Sequence, residues 1–260
     1  MLKILLKFFV ELTGSPFMSR RLMAVTKAKS SRKMISLFAQ VYNVNQEEME
    51  IPLPEYTSLQ HFFTRTLKAG MRPVEAGENI FVSPVDGVVN AFGSIQDVMN
   101  YTVKNKPIML EEMMGSAEKA AKYKNGKYII FYLSPRHYHR IHSPVKGRKT
   151  PAWTLGGKSY PVNRFGIKHG RRPLSTNFRT ITEIQSRHQQ VAVVKVGALN
   201  VNSIHLTHSR QNIEPGEELA YFSFGSTVIL LIENENFQFS SVLCEGMEIK
   251  YGEKIGFISA

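Results

Sequence analysis

Apolar residues follow two different rhythms along this chain. From residue 2 to 12 they fill every position except Lys3, Lys7 and Glu11, which recur four apart and form one narrow polar stripe on a helix. Ser15-Pro16 then offers a serine N-cap and a proline at the first helical position, predicting a second helix over 17–42. Its apolar members, among them Leu22, Val25, Ile35, Phe38 and Val41, are interleaved with basic residues. A third helix is predicted over 57–70, opened by a Thr57-x-x-Gln60 capping box and closed by Gly70 ahead of Pro73. From residue 80 onward the rhythm shortens to β-branched and aromatic runs between Gly, Pro and Asn turns: FVSPVDGVV, KYIIFYL, VAVVKVGAL, STVILLI and KIGFI. One strand-like stretch is interrupted. In YFSFGSTVILL (221–231), Gly225, Ser226 and Thr227 separate Phe224 from Val228, and a glycine inside a strand marks a bulge or a close backbone approach.

Two stretches occur twice. Ser83-Pro84-Val85-Asp86-Gly87 returns as Ser143-Pro144-Val145-Lys146-Gly147, and GEELAYFS (216–223) returns as GEKIGFIS (252–259). Paired copies of a turn and of a strand predict two similar halves. The expected fold is α+β: a helical, membrane-contacting region at 1–75, then a β-rich, pseudo-duplicated sandwich or barrel at 76–260 that carries the catalytic residues.

Hydrophobic content of 43% and charged content of 21% belong to a folded chain, and 260 residues suffice for one substantial core. A single cysteine, Cys244, excludes an internal disulfide and a cysteine-rich zinc site. The net charge of +12 is uneven, since residues 1–33 hold eight basic side chains against Glu11 alone. The N-terminal apolar segment is much shorter than the ~20 residues needed to span a bilayer. No A-x-A-like cleavage site follows it, so it reads as a peripheral contact with anionic lipid, with a helix packed on its own protein and a signal or anchor segment as the other readings. No nucleic-acid reader motif accompanies the charge, and nucleic acid is not an expected partner.

Histidine is concentrated in SPRHYHRIHSP (134–144), which holds His137, His139 and His142. On an extended segment His137 and His139 share a face, which His142 joins only across a turn or bulge. An imidazole of ordinary pKa ~6.5 suits proton transfer. The same cluster also suits metal ligation, or a merely polar strand end. The residues alone leave these readings open. Asp86 lies in a turn, where aspartate is favoured for structural reasons. With a histidine of the cluster and Ser226 it completes an acid–base–nucleophile set in the order Asp…His…Ser. The G-x-S-x-G elbow is absent, which argues against an α/β-hydrolase.

Five segments together resemble the phosphatidylserine decarboxylases: FFTRTLK at 62–68 with Arg72-Pro73, SPVDG at 83–87, the block from Tyr132 to His142, VGA at 196–198 and FGST at 224–227. The resemblance is to the compact bacterial type. It implies a proenzyme, a carboxy-lyase of phospholipid biosynthesis, that cuts itself between Gly225 and Ser226 into chains 1–225 and 226–260. It implies that His142, oriented by Asp86, takes the Ser226 proton while Oγ attacks the Gly225 carbonyl. Ser226 then becomes a covalent pyruvoyl group, with no metal. That group condenses with the serine amine of phosphatidylserine and draws electrons as carbon dioxide leaves, giving phosphatidylethanolamine. His139 serves the decarboxylation step. The implied partners are an anionic phospholipid membrane, met peripherally on the cytoplasmic side of the cell membrane, and a second copy in a homodimer. The two cleavage chains stay associated. Two departures from the family pattern are Phe224, where leucine is commoner, and the extra histidine His137. Two other readings stand beside this one: a non-catalytic membrane-binding β-module, and a metal-dependent hydrolase using the 137–142 cluster.

Overall fold

The runs KYIIFYL, VAVVKVG and STVILLI are apolar at most consecutive positions, Lys195 being the interior exception, so as strands they need cover on both faces. The computed structural model describes residues 24–75, 77–95, 101–103, 106–157, 160, 162, 172–187, 189–197, 204–207, 209–223 and 226–259, and it lays these runs side by side. Ser226–Ile232 lies inside a nine-stranded sheet, antiparallel to Gln189–Gly197 on one edge and to Lys127–Leu133 on the other. One wing continues through Arg179–Ser186 and Gly147–Lys149 to Asn212–Ile213, the other through Gly87–Ser94 to Glu248–Ile249.

Alternation along these strands splits the side chains into two cores. Ala192, Val194, Val196, Ile229 and Leu231 join residues of three short helices, Leu110–Met114, Ala117–Ala121 and Pro173–Thr176. Val191, Val193, Val228, Leu230 and Ile232 join Phe81, Ile141, Leu219, Phe222 and Ile255 of two three-stranded sheets. One small sheet is Ile80–Val82, Lys254–Ile258 and Phe237–Phe239; the other is Ile204–Leu206, Glu218–Phe222 and Arg140–His142. The fold is thus α+β and mostly sheet. The large sheet ends at Asn212–Ile213 and Glu248–Ile249 without meeting itself, so the barrel alternative does not form among the described residues. The three short helices were not expected inside the β-rich region. At four or five residues each, they are too brief to show a helical period.

The helix expected over 2–12 lies outside the described residues, as does the start of the one expected over 17–42. What is described of the latter is broken: a turn at 24–27, the 3-10 helix Lys29–Met34, then the α-helix Ile35–Tyr42. Ser31 supplies a reason, because its Oγ donates to the carbonyls of Thr26 and Ala28 at 2.9 and 2.7 Å. Such side-chain bonds compete with a continuous helical ladder. The third helix is Leu59–Phe63, shorter than expected and capped one residue later. Ser58, not Thr57, accepts the His61 N–H at 3.1 Å, while His61 Nδ1 reaches back to the Thr57 N–H at 3.3 Å. Among the described residues no helix is long and apolar enough to cross a membrane.

The repeated stretches are bonded alike. Ser83 and Ser143 each donate Oγ–H to the carbonyl two residues on, Val85 and Val145, at 2.8 and 2.7 Å. The Val82 N–H bonds the Pro144 carbonyl and the His142 N–H bonds the Pro84 carbonyl, at 3.0 and 2.8 Å, so the two turns clasp each other. Ser83 exchanges with Glu253 and Gly252 the same two backbone bonds that Ser143 exchanges with Glu217 and Gly216. This clasp fixes where Asp86 and His142 stand: one turn bears Asp86, and the strand entering the other bears His142.

Candidate active site

Two connections join the large sheet to one of the small sheets at a single corner. Lys127–Leu133 leaves through 134–139 into Arg140–His142, and Glu218–Phe222 continues through 223–225 into Ser226–Ile232. Their ends are tied. Ser226 pairs with Leu133 and Gly197, and the Phe222 N–H donates to the His139 carbonyl at 2.9 Å. The backbone therefore brings Ser226 and the histidine block to the same corner. Phe224 and Gly225 lie outside the described residues.

His139 and His142 are buried, 0% and 5% exposed, and share one hydrogen-bonding pattern. Nδ1 of His139 is 2.8 Å from the His137 carbonyl, and Nδ1 of His142 is 2.7 Å from the Gly216 carbonyl. A carbonyl only accepts, so each Nδ1 carries the proton and each Nε2 presents a lone pair. Neither Nε2 has a partner among the described residues. Leaving a buried acceptor unmade is disfavoured, and it is what a general base requires. Burial pushes His142 down to about 4 and is the first cause that holds His139 well below the ordinary imidazole value, with the Arg65 charge second. Both are neutral bases at pH 7. Their rings are held by neighbours: Phe63 lies 3.9 Å from His139, and Tyr251 stacks on His142 at 3.7 Å and 4°.

His137 is built the other way round. Its Nδ1 accepts from the Ser134 N–H at 2.9 Å and its Nε2 faces a Glu248 carboxylate oxygen at 2.9 Å, so both nitrogens are used in holding the 134–137 turn. The three histidines face three different sets of partners. Among the described residues no three His, Cys, Asp or Glu side chains gather as a metal site needs.

Asp86 does not meet His142 as expected. Its carboxylate accepts from Arg72, with Nε at 3.1 Å from both oxygens and Nη2 at 2.5 Å, and from the Tyr251 N–H at 2.9 Å. Arg72 also bonds Glu48 at 2.7 Å. A guanidinium fork and a backbone donor leave this buried carboxylate little free capacity, which is why Gly216 holds the imidazole instead. Burial alone would lower the Arg72 pKa, but its bonds to Asp86 and Glu48 raise it. Asp86 reaches His142 through Tyr251, whose N–H it fixes and whose ring lies on the imidazole, and through its charge. A cavity of about 270 Å³ opens here, lined by Arg65, Arg72, Asp86, His137, Tyr138 and Lys250 among others.

A family model described as phosphatidylserine decarboxylase covers residues 59–257. The chain belongs to the phosphatidylserine decarboxylase family. Among similar proteins are the phosphatidylserine decarboxylase proenzymes of Anoxybacillus flavithermus, 49% identical over 259 residues, and of Geobacillus kaustophilus, 49% identical over 257 residues. The first alignment covers 100% of this chain and 98% of that protein, the second 99% and 97%. The proenzyme of Halalkalibacterium halodurans is 47% identical over 256 residues, 98% of each.

Of the residues expected to act in this decarboxylase family member, His139 joins the backbone corner of Ser226, while Asp86 is tied to His142 by way of Tyr251. Tyr251, Gly216, Phe63 and Glu48 were not anticipated. Phe63 stood in a family-like segment and Gly216 in a repeated one, whereas nothing local marks Tyr251 or Glu48 as neighbours of Asp86.

Proposed function

We propose that this chain is a self-cleaving, pyruvoyl-dependent phosphatidylserine decarboxylase. The observation that carries the reading is the pair of buried imidazoles, His139 and His142, each with a free Nε2, in a chain of this family. His142 Nε2 takes the Ser226 hydroxyl proton as Oγ attacks the Gly225 carbonyl. The peptide C–N bond breaks, the freed amine gains the proton, and an ester links the two parts. Removal of the Ser226 α-proton then expels chain 1–225 as a carboxylate, and water releases ammonia to leave a pyruvoyl group at residue 226. The residues fit such a group, because two neutral, water-shielded acceptors with unused lone pairs serve its formation and its chemistry.

Once present, the pyruvoyl group supplies the electron sink that lets carbon dioxide leave the serine headgroup and phosphatidylethanolamine form. His139 Nε2 takes up a proton from the ammonium group of the substrate serine and returns it at the carbon that loses carbon dioxide. Asp86, locked by Arg72, keeps Tyr251 on His142. Chain 226–260 stays attached because Ser226–Ile232 is hydrogen-bonded on both edges and Val228, Ile229, Leu230, Leu231 and Ile232 are 0% exposed. The 1–75 region meets anionic lipid from the cytoplasmic side of the cell membrane, the 76–260 region catalyses, and its matching turns reflect a pseudo-duplicated origin. Two copies associate as a homodimer.

Phosphatidylserine labelled in the headgroup carboxyl tests the reading. Wild-type protein should release labelled carbon dioxide from vesicles and Ser226→Ala should not. His139→Ala should be cut yet release it about 10²–10⁴-fold more slowly. Release by Ser226→Ala, or none by cut wild-type protein, would overturn it.

A further inference from the structure

Arg65 follows the helix Leu59–Phe63 and is 4% exposed, yet no carboxylate pairs with it among the described residues. A buried cation without a paired counter-ion is strongly disfavoured, and Asp86 and Glu48 offset this only through their charge from a distance. Burial lowers its own proton affinity to about 10, which still leaves it charged at pH 7. Its Nη2 donates to two successive carbonyls of the histidine loop, Arg136 at 2.7 Å and His137 at 2.9 Å. The His137 carbonyl is also the one that accepts from His139 Nδ1, at 2.8 Å. Nε and Nη1 of Arg65 have no partner among the described residues, and the Phe62 ring lies 5.4 Å from the guanidinium carbon. Two residues before Arg65, Phe63 lies against the His139 ring.

We propose that Arg65 is a positioning residue for His139: its guanidinium fastens the Arg136 and His137 carbonyls and thereby holds His139 as the Nδ1–H tautomer with Nε2 free. The shared carbonyl is the hinge of the arrangement. While Arg65 binds it, it faces the imidazole and can only accept, so the ring proton stays on Nδ1. The charge of Arg65 then opposes a second proton on the ring. Arg65 and His137 are the charged and titratable groups that act on His139, while Phe63 contributes a ring and Phe222 a backbone N–H at the His139 carbonyl.

This inference rests on the role proposed for His139, and the test separates the two. In the uncut Ser226→Ala chain, imidazole 15N spectra report the tautomer and charge of His139 without any need for activity. With Arg65 present, His139 should stay neutral and Nδ1-protonated across about pH 5–8, where an ordinary imidazole titrates. Arg65→Gln, which keeps a donor and removes the charge, should admit the Nε2–H tautomer and move the His139 titration to higher pH, while burial, the larger cause, still holds it below the ordinary imidazole value. In otherwise unaltered chains, Arg65→Gln should move the acid limb of carbon dioxide release to higher pH. Its kcat should fall about tenfold to a hundredfold, more than KM changes. Arg65→Lys should restore most of the acid limb. A His139 that titrates as an ordinary imidazole with Arg65 in place would overturn the proposal, and that spectrum decides even where a variant fails to fold. So would an Arg65→Gln chain with unchanged tautomer and acid limb. The expected spectra in a chain that releases no carbon dioxide would support the positioning role and contradict the decarboxylase reading instead.

Discussion

The turn at 83–87 and the turn at 143–147 are held by matching backbone bonds, but their fourth residues stand in opposite surroundings. Asp86 is 6% exposed and bound by Arg72 and the Tyr251 N–H, whereas the Lys146 side chain is 75% exposed and pairs with Glu214 at 2.8 Å. The register carries the comparison further. His142 precedes one turn as Val82 precedes the other, and Tyr251 stands before one Gly-Glu pair as Pro215 stands before the other. Main-chain bonding is alike in the two places, while the stacked imidazole, tyrosine and carboxylate occur once. The difference comes from outside the repeats. Arg72 and Glu48, supplied by the segment that precedes the sheets, make it possible to bury the charge of Asp86 in one turn, and the other turn leaves its lysine in solvent.

Substituting the two fourth residues should separate them most. Asp86→Ala leaves Arg72, whose side chain is 3% exposed, with Glu48 alone as its carboxylate partner, and frees the Tyr251 N–H. Breaking a buried pair from one side costs about 3–5 kcal/mol when the remaining charge is left alone, and Glu48 reduces that loss, so thermal unfolding should fall and the cut should stall. Lys146→Ala should leave both unchanged. Equal effects in the two turns would remove the distinction.

The next contrast lies in pH. Because burial depresses the folded-state value of His142 to about 4, the folded chain binds fewer protons than the unfolded one below the ordinary imidazole value. Stability present above about pH 6.5 is therefore lost as pH falls toward 4, by about 3 kcal/mol from this group. His142→Gln should flatten that part of a denaturant-midpoint series against pH. Val82→Ala in the corresponding place should shift the whole series without changing its slope.

The smallest effect expected is at Tyr251. Tyr251→Phe keeps the ring on His142 and should cut at nearly the wild-type rate, while Tyr251→Ala should slow cutting about tenfold in a time course on gels. Indifference to both would show that the ring contact does not position the imidazole.

The long strands were legible because their side chains must be apolar on both faces, which leaves a run such as STVILLI unmistakable. The histidine block and Asp86 stood out by residue type and by the repeat. What held them was not legible. His142 is fixed by a carbonyl 74 residues away, and Asp86 by an arginine 14 residues upstream and an amide 165 residues downstream. No local pattern encodes such meetings, because the clasped turns create them. The short helices and the one-residue shift of the cap to Ser58 were missed for the opposite reason. The cap at Ser58 rests on one side-chain bond, and the short helices lie in segments too short to have a period.

Cutting at Gly225–Ser226 is tested most directly by the intact mass of the purified wild-type protein. Two species are expected, 1–225 and 226–260, the smaller lighter by one ammonia than the same fragment headed by serine. A single uncut chain, or a small fragment that still begins with serine, would contradict it.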